Sequence, residues 1–153
     1  MSKFSQAFGE KYQKNKLSII SRSFTLGNHT FKVRVPSTGE LERIFNYVNN
    51  PDQAKVEEAY NALIENISGD NVEKTDDDTI IEGRSLREAA KNKVVMQYRI
   101  TEYFKLLVAD EIDALADLEY EDIEAEFPLA IQLQFIDKIN EVISPDYKEA
   151  REK

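Results

Sequence analysis

The 153-residue chain contains no cysteine, no tryptophan and a single histidine. Without thiols there is no disulfide, no thiolate zinc site and no cysteine nucleophile, and the composition fits a reducing cytoplasm. One histidine, His29, does not make a ligand set, and its place beside a turn reads as turn or packing chemistry. Glycine is equally sparse. Gly9, Gly27, Gly39, Gly69 and Gly83 stand too far apart to build a phosphate-cradling loop, and each reads as turn or cap punctuation. Long apolar runs are missing too: none approaches the roughly 18 residues that span a bilayer, and Ser5, Gln6, Gly9 and Glu10 interrupt the place where a secretory signal would put its apolar region. The expectation is a soluble protein, neither secreted nor inserted in a membrane.

What the chain has in excess is acid, with 29 Asp and Glu against 20 Lys and Arg, a net charge of −9. The two signs are segregated. Residues 1–35 hold seven Lys and Arg against Glu10 alone, a net +6, which leaves −15 on the remaining 118 residues. Such a body repels phosphate backbones, so nucleic acid is not an expected partner. Asp70 with Asp76, Asp77 and Asp78 lacks the alternating acids, central glycine and distal glutamate of a helix-loop-helix calcium site and reads as solvated loop charge. Asp110 to Glu126 holds nine acids and no base. A general acid and base would need a pocket that shifts a carboxyl, and no pair there is marked out for one. No catalytic, cofactor-binding or metal-ligating residue is assigned, no cofactor is expected, and a metal-dependent hydrolase is the disfavoured third class.

Hydrophobic periodicity organises the rest. Residues 1–16 mix Lys, Gln, Asn and Ser with isolated aromatics and read as a flexible basic arm. Residues 17–145 read as one mainly helical domain with an N-terminal β-hairpin, about 20–35, packed on or beside the helices; residues 146–153 form a polar C-terminal tail. Gly27-Asn28 closes the hairpin with a type II′ turn, which sets Leu26 opposite His29, Phe24 opposite Phe31, Arg22 opposite Val33 and Ile20 opposite Val35. Ser37 to Glu40 and Ser85 to Glu88 are capping boxes, and Asn50-Pro51-Asp52 opens a further helix with Asn50 as its cap. Asp70 to Thr79 reads as a flexible acidic loop. The longest helix runs from Ser85 to about Val108, one or two short helices follow within the acidic stretch, and Leu129, Leu133, Ile136, Ile139 and Ile143 form the apolar stripe of a last helix ending near Pro145. Phe4, Phe8, Tyr12, Tyr47, Tyr98, Tyr103, Phe104, Tyr120 and Phe135 are more aromatics than one small core absorbs, and aromatic side chains are preferred anchors at protein interfaces.

The stretch from Phe24 to Glu42, FTLGNHTFKVRVPSTGELE, resembles the opening of tail assembly chaperones of long-tailed bacteriophages. Gly83 to Ala90, GRSLREAA, ahead of a long helix, and Tyr120 to Ala130, YEDIEAEFPLA, ahead of the last one, resemble patterns of the same family. The resemblance covers most of the chain from Phe24 to about Val142 and does not extend to the N-terminal arm. It implies a noncatalytic protein of the host cytoplasm, absent from the finished virion, that binds the tape measure and tail tube proteins during assembly. The alternative reading is an acidic DNA mimic that inhibits a host nucleic-acid-binding protein through Asp110 to Glu126. Partner-binding residues and oligomeric state are not assigned.

Overall fold

The computed structural model describes residues 3–65, 67, 69, 71–111 and 113–146. The fold is mainly α: 58% of the described residues are helical, with an antiparallel hairpin near the N-terminus and a small second sheet. In chain order the elements are α1 (Lys3–Gln6), α2 (Gly9–Ile20), β1 (Ser21–Leu26), β2 (His29–Arg34), α3 (Thr38–Asn49), α4 (Gln53–Ile64), β3 (Val72–Lys74), β4 (Thr79–Ile81), β5 (Arg84–Ser85), α5 (Leu86–Phe104), α6 (Tyr120–Glu126) and α7 (Leu129–Ile143). The described residues fall into two compact units. The described residues of 1–38 and 102–153 make the first, and those of 39–101 the second.

The first unit is built on the hairpin. Its register is the one the turn position dictates, with Phe24 opposite Phe31, Leu26 opposite His29 and Arg22 opposite Val33, and Val35 N–H donates to the Ile20 carbonyl at 2.7 Å. The turn type differs from the expected II′. Gly27 and Asn28 have φ of 58° and 68°, the two left-handed residues of a type I′ turn, which Asn tolerates better than most side chains and which matches the strand twist. The longest helix also stops earlier than expected, at Phe104. Leu106 to Val108 leave it to lie along β2, where Arg34 N–H donates to the Leu106 carbonyl and Val108 N–H to the Lys32 carbonyl, each at 2.8 Å. Edge groups of β2 that would otherwise need water are satisfied there. Phe24 and Phe31 stack at 5.5 Å, and both meet the ring of Phe135 on α7, which also contacts Phe104 and Phe127. Arg22, on the same face, donates from Nη1 to the carbonyls of Val142 (2.6 Å) and Ser144 (2.9 Å), placing a cation at the C-terminal end of α7.

Two further expectations are corrected here. The arm at 1–16 contains α1 and most of α2, a regular helix that buries none of its residues. Leu129 and Leu133 do not continue the buried stripe of α7: Ile136, Ile139 and Ile143 are buried, while the first two turns bury Gln132 and leave both leucines exposed. Of the polar tail at 146–153, only Asp146 lies within the described residues.

The second unit contains α3, α4, the second sheet and most of α5. Asp52, not Asn50, caps α4, its Oδ1 accepting from Ala54 N–H at 3.0 Å, so Pro51 precedes the cap and the first helical position falls to Gln53. The stretch 70–79, expected to be a flexible loop, contributes strands instead. Val72 pairs with Ile81 and Lys74 with Thr79, and a two-residue turn at Glu82 (φ 52°) and Gly83 (φ 80°) brings Arg84 opposite Ile81. Asp70 lies outside the described residues.

Candidate interaction surfaces

Asp78 is where the second unit concentrates its polar chemistry. One carboxylate oxygen accepts from the N–H groups of Thr79 (2.7 Å) and Arg87 (3.0 Å), and the other from the Ser85 hydroxyl. The Ser85 oxygen in turn accepts from Glu88 N–H at 3.1 Å, which is one half of the expected capping box. Arg87 then reaches across: its guanidinium sits 4.1 Å over the ring of Tyr60, pairs with Glu57 at 2.5 Å and donates to the Asp77 carbonyl. Tyr60 and Thr79, both buried, share a hydrogen bond of 2.9 Å between their hydroxyls. The Ser85 hydroxyl holds the Asp78 carboxyl below its ordinary range, and the Arg87 guanidinium does the same to Glu57. This network ties the strand turn to the middle of α4 and the start of α5; its donors and acceptors face one another. Asp76 and Asp77 are exposed on the same turn, and among the described residues no three His, Asp or Glu side chains gather as a metal would require. His29 is exposed at the hairpin, its ring edge-on to Phe31 at 4.6 Å.

The nine acids of 110–126 are all exposed. Only Glu124 engages the interior, where it accepts from the Gln132 amide at 2.8 Å and from the Tyr120 hydroxyl at 2.9 Å. Gln132 also donates to the Phe127 carbonyl at 2.9 Å, and its oxygen lies 2.9 Å from the Tyr120 hydroxyl, whose single proton it shares with Glu124. The Gln132 amide, followed by the Tyr120 hydroxyl, lowers the pKa of Glu124; desolvation, followed by the Glu124 contact, raises that of Tyr120.

Large apolar side chains left in water are the other distinctive feature. Of the aromatics singled out from the sequence, Phe104 and Phe135 are core, Tyr12, Tyr98, Tyr103 and Tyr120 are half-buried, and Phe4, Phe8 and Tyr47 are exposed. In the first unit Phe4, Phe8 and Tyr12 form a continuous ridge, with ring centroids 5.1 and 5.0 Å apart. Phe4 is 74% exposed. Leu17 and Ile19 are also exposed, on different sides of α2, and Leu129 and Leu133 stand one turn apart on α7. In the second unit Phe45, 67% exposed, and Tyr47 flank the buried side of α3, with Tyr47 stacked on Tyr98 at 5.0 Å. Sequence reasoning missed Phe45, Leu129 and Leu133 because each satisfies the helical period of a core stripe, and only the neighbours that compete for burial decide which members are covered; it missed Leu17 and Ile19 because no helix was read there.

Among the described residues no helix is long and apolar enough to cross a membrane. Comparison with protein-family models, with curated proteins and with solved structures finds no match to this chain.

Proposed function

We propose that this chain is a noncatalytic tail assembly chaperone of a long-tailed bacteriophage, which acts in the host cytoplasm, covers apolar segments of the tape measure and tail tube proteins, and is left out of the mature virion. The observation that carries the reading is the exposure of eight large apolar side chains on helical surfaces, Phe4, Phe8, Leu17, Ile19, Phe45, Tyr47, Leu129 and Leu133. Single exposed leucines need no explanation, but ridges and turn-spaced pairs of them are the form in which helical proteins receive amphipathic segments. The resemblance of 24–42, 83–90 and 120–130 to the chaperone family supplies the client. A tape measure protein is long and exposes apolar stripes before a tube encloses it, and reversible coverage keeps such stripes from associating nonproductively.

The test is co-expression with overlapping tape measure fragments, followed by capture on the full chain and on three double variants, Phe4→Ser with Phe8→Ser, Phe45→Ser with Tyr47→Ser, and Leu129→Ser with Leu133→Ser. At least one fragment should be retained, and at least one variant should lose it by about tenfold or more, the equivalent of about 1.4 kcal/mol. Retention of nothing, or equal retention by all four proteins, would contradict the proposal. The exposure of the nine acids at 110–126 favours a second reading, an acidic DNA mimic. That protein would instead capture a nucleic-acid-binding host protein and release it as salt rises.

A further inference from the structure

The segment Lys3–Ile20 is built as if to be covered. A 12-residue helix lies at the lower edge of what persists in water by itself, and α2 buries none of its residues. Yet the turn into it is locked: Ser5 is buried, Gln13 Nε2 donates to the Ser5 carbonyl at 2.7 Å and to its hydroxyl at 2.8 Å, and Gly9 takes the φ of +79° that the junction between α1 and α2 needs. That lock presents the ridge of Phe4 and Phe8 in one fixed arrangement. Lys11 and Lys14 are exposed on α2 and Lys3 on α1, and Glu10 is the only acid in the segment.

The complement of this surface exists on the same chain. The nine exposed carboxylates of 110–126 have no base among them, and among the described residues none of them forms a salt bridge. They run directly into the exposed pair Leu129 and Leu133 on α7. Acid beside two leucines faces base beside two phenylalanines in both sign and character. We propose that α1 and α2 of one copy dock on the acidic surface and leucine pair of a second copy, so that copies join head to tail. Because donor and acceptor surfaces differ, the contact is heterologous, and each added copy leaves one of each surface open until a ring closes or a filament grows. Salt bridges set the orientation and the apolar contact supplies the net gain, because exposed ion pairs contribute little by themselves. This inference does not depend on the chaperone reading.

Sedimentation velocity of the full chain over a wide concentration range tests it, at about 0.15 M salt, where a Debye length of about 8 Å mutes repulsion between whole acidic copies but leaves contact pairs intact. Two charge-reversed proteins are compared, Lys11→Glu with Lys14→Glu and Asp117→Lys with Glu121→Lys; these side chains are exposed, and circular dichroism checks that each protein keeps its helix content. The wild type should gain mass with concentration. Each variant alone should lose association by about tenfold or more, through like charge facing like. An equimolar mixture of the two should regain it, since each reversed surface then meets an opposite one. Phe4→Ser with Phe8→Ser should lose association without recovery in any mixture with the Lys11→Glu, Lys14→Glu protein. A wild type that stays monomeric overturns the proposal, as does association insensitive to both charge variants or a mixture that fails to recover. Binding of the monomer to anionic phospholipid vesicles, with no self-association in their absence, would assign the segment to a membrane surface instead and overturn the proposal as well.

Discussion

The two β-containing regions of this protein are stabilised in different ways. The hairpin of the first unit is joined to α7 by rings: Phe135, 1% exposed, meets Phe24, Phe31, Phe104 and Phe127 with centroids between 4.8 and 5.9 Å. The three short strands of the second unit are held by Asp78, Ser85, Arg87, Glu57, Tyr60 and Thr79, through hydrogen bonds, one ion pair and one guanidinium over a ring. Apolar burial is proportional to area and tolerant of detail, whereas a polar network is worth its full amount only when every partner is present. The first region should therefore respond mainly to lost volume, and the second to lost partners and to pH.

The largest effect should come from Phe135→Ala, which removes the ring shared by four others and should destabilise the first unit by about 3–5 kcal/mol in a denaturant titration. A loss near 1 kcal/mol would mean that the ring cluster repacks and that the contrast between the regions is weaker than drawn. Next in size is Tyr60→Phe. It leaves the buried Thr79 hydroxyl without its partner at a cost of about 1–3 kcal/mol, and it should do so while removing almost no volume. Thermal melts of Tyr60→Phe beside the double variant Tyr60→Phe with Thr79→Val should show the second change recovering part of the loss.

Acid should separate the regions further. Asp78 and Glu57 titrate below their ordinary values in the folded protein, held down first by the Ser85 hydroxyl and the Arg87 guanidinium respectively. A carboxylate depressed by folding contributes stability that is fully present above its unfolded pKa, near 4, and is lost as pH falls through the lower folded value. Hydrogen exchange at β4 amides should thus accelerate relative to that at β1 amides as pH drops from about 5 to 3, after correction for intrinsic exchange, and Asp78→Asn should flatten the difference. Parallel acceleration in both strands would remove the distinction. The smallest change is expected from Phe45→Ser, whose side chain is already in water: its melting temperature should stay close to that of the wild type, and a large drop would show Phe45 to be core.

This contrast also explains which features could be read from the sequence. The hairpin register follows from Gly27-Asn28 and alternating apolar residues, both local signals, and the structure has the same pairs from Arg22 and Val33 to Leu26 and His29, while Ile20 ends α2 instead of pairing in the strand. The last helix was legible for the same reason, although its first turn was not: Gln132 displaces Leu129 and Leu133 from the interior because Tyr120, Glu124 and the Phe127 carbonyl, all brought from outside the helix, satisfy its amide. The second sheet was illegible because Asp76-Asp77-Asp78 looks like solvated charge until Ser85 and Arg87 are folded against it. Its one local clue was the two-residue gap at Glu82-Gly83 between Ile81 and Arg84, with a glycine where a left-handed residue is needed. In the N-terminal segment, helical spacing of Phe4, Phe8 and Tyr12 was present, but a helix without a buried face gives no core stripe to detect.

The central proposal, that apolar helical surfaces of this chain receive a tape measure segment, is tested most directly by titrating a retained helical fragment into the full chain by calorimetry at about 0.05 and 0.5 M salt, where the Debye length falls from about 14 to about 4 Å. Binding through apolar contacts predicts a negative heat-capacity change and a dissociation constant that changes by less than about tenfold between the two salts. Absence of binding by every fragment, together with capture of a nucleic-acid-binding host protein that is released at the higher salt, would contradict the account.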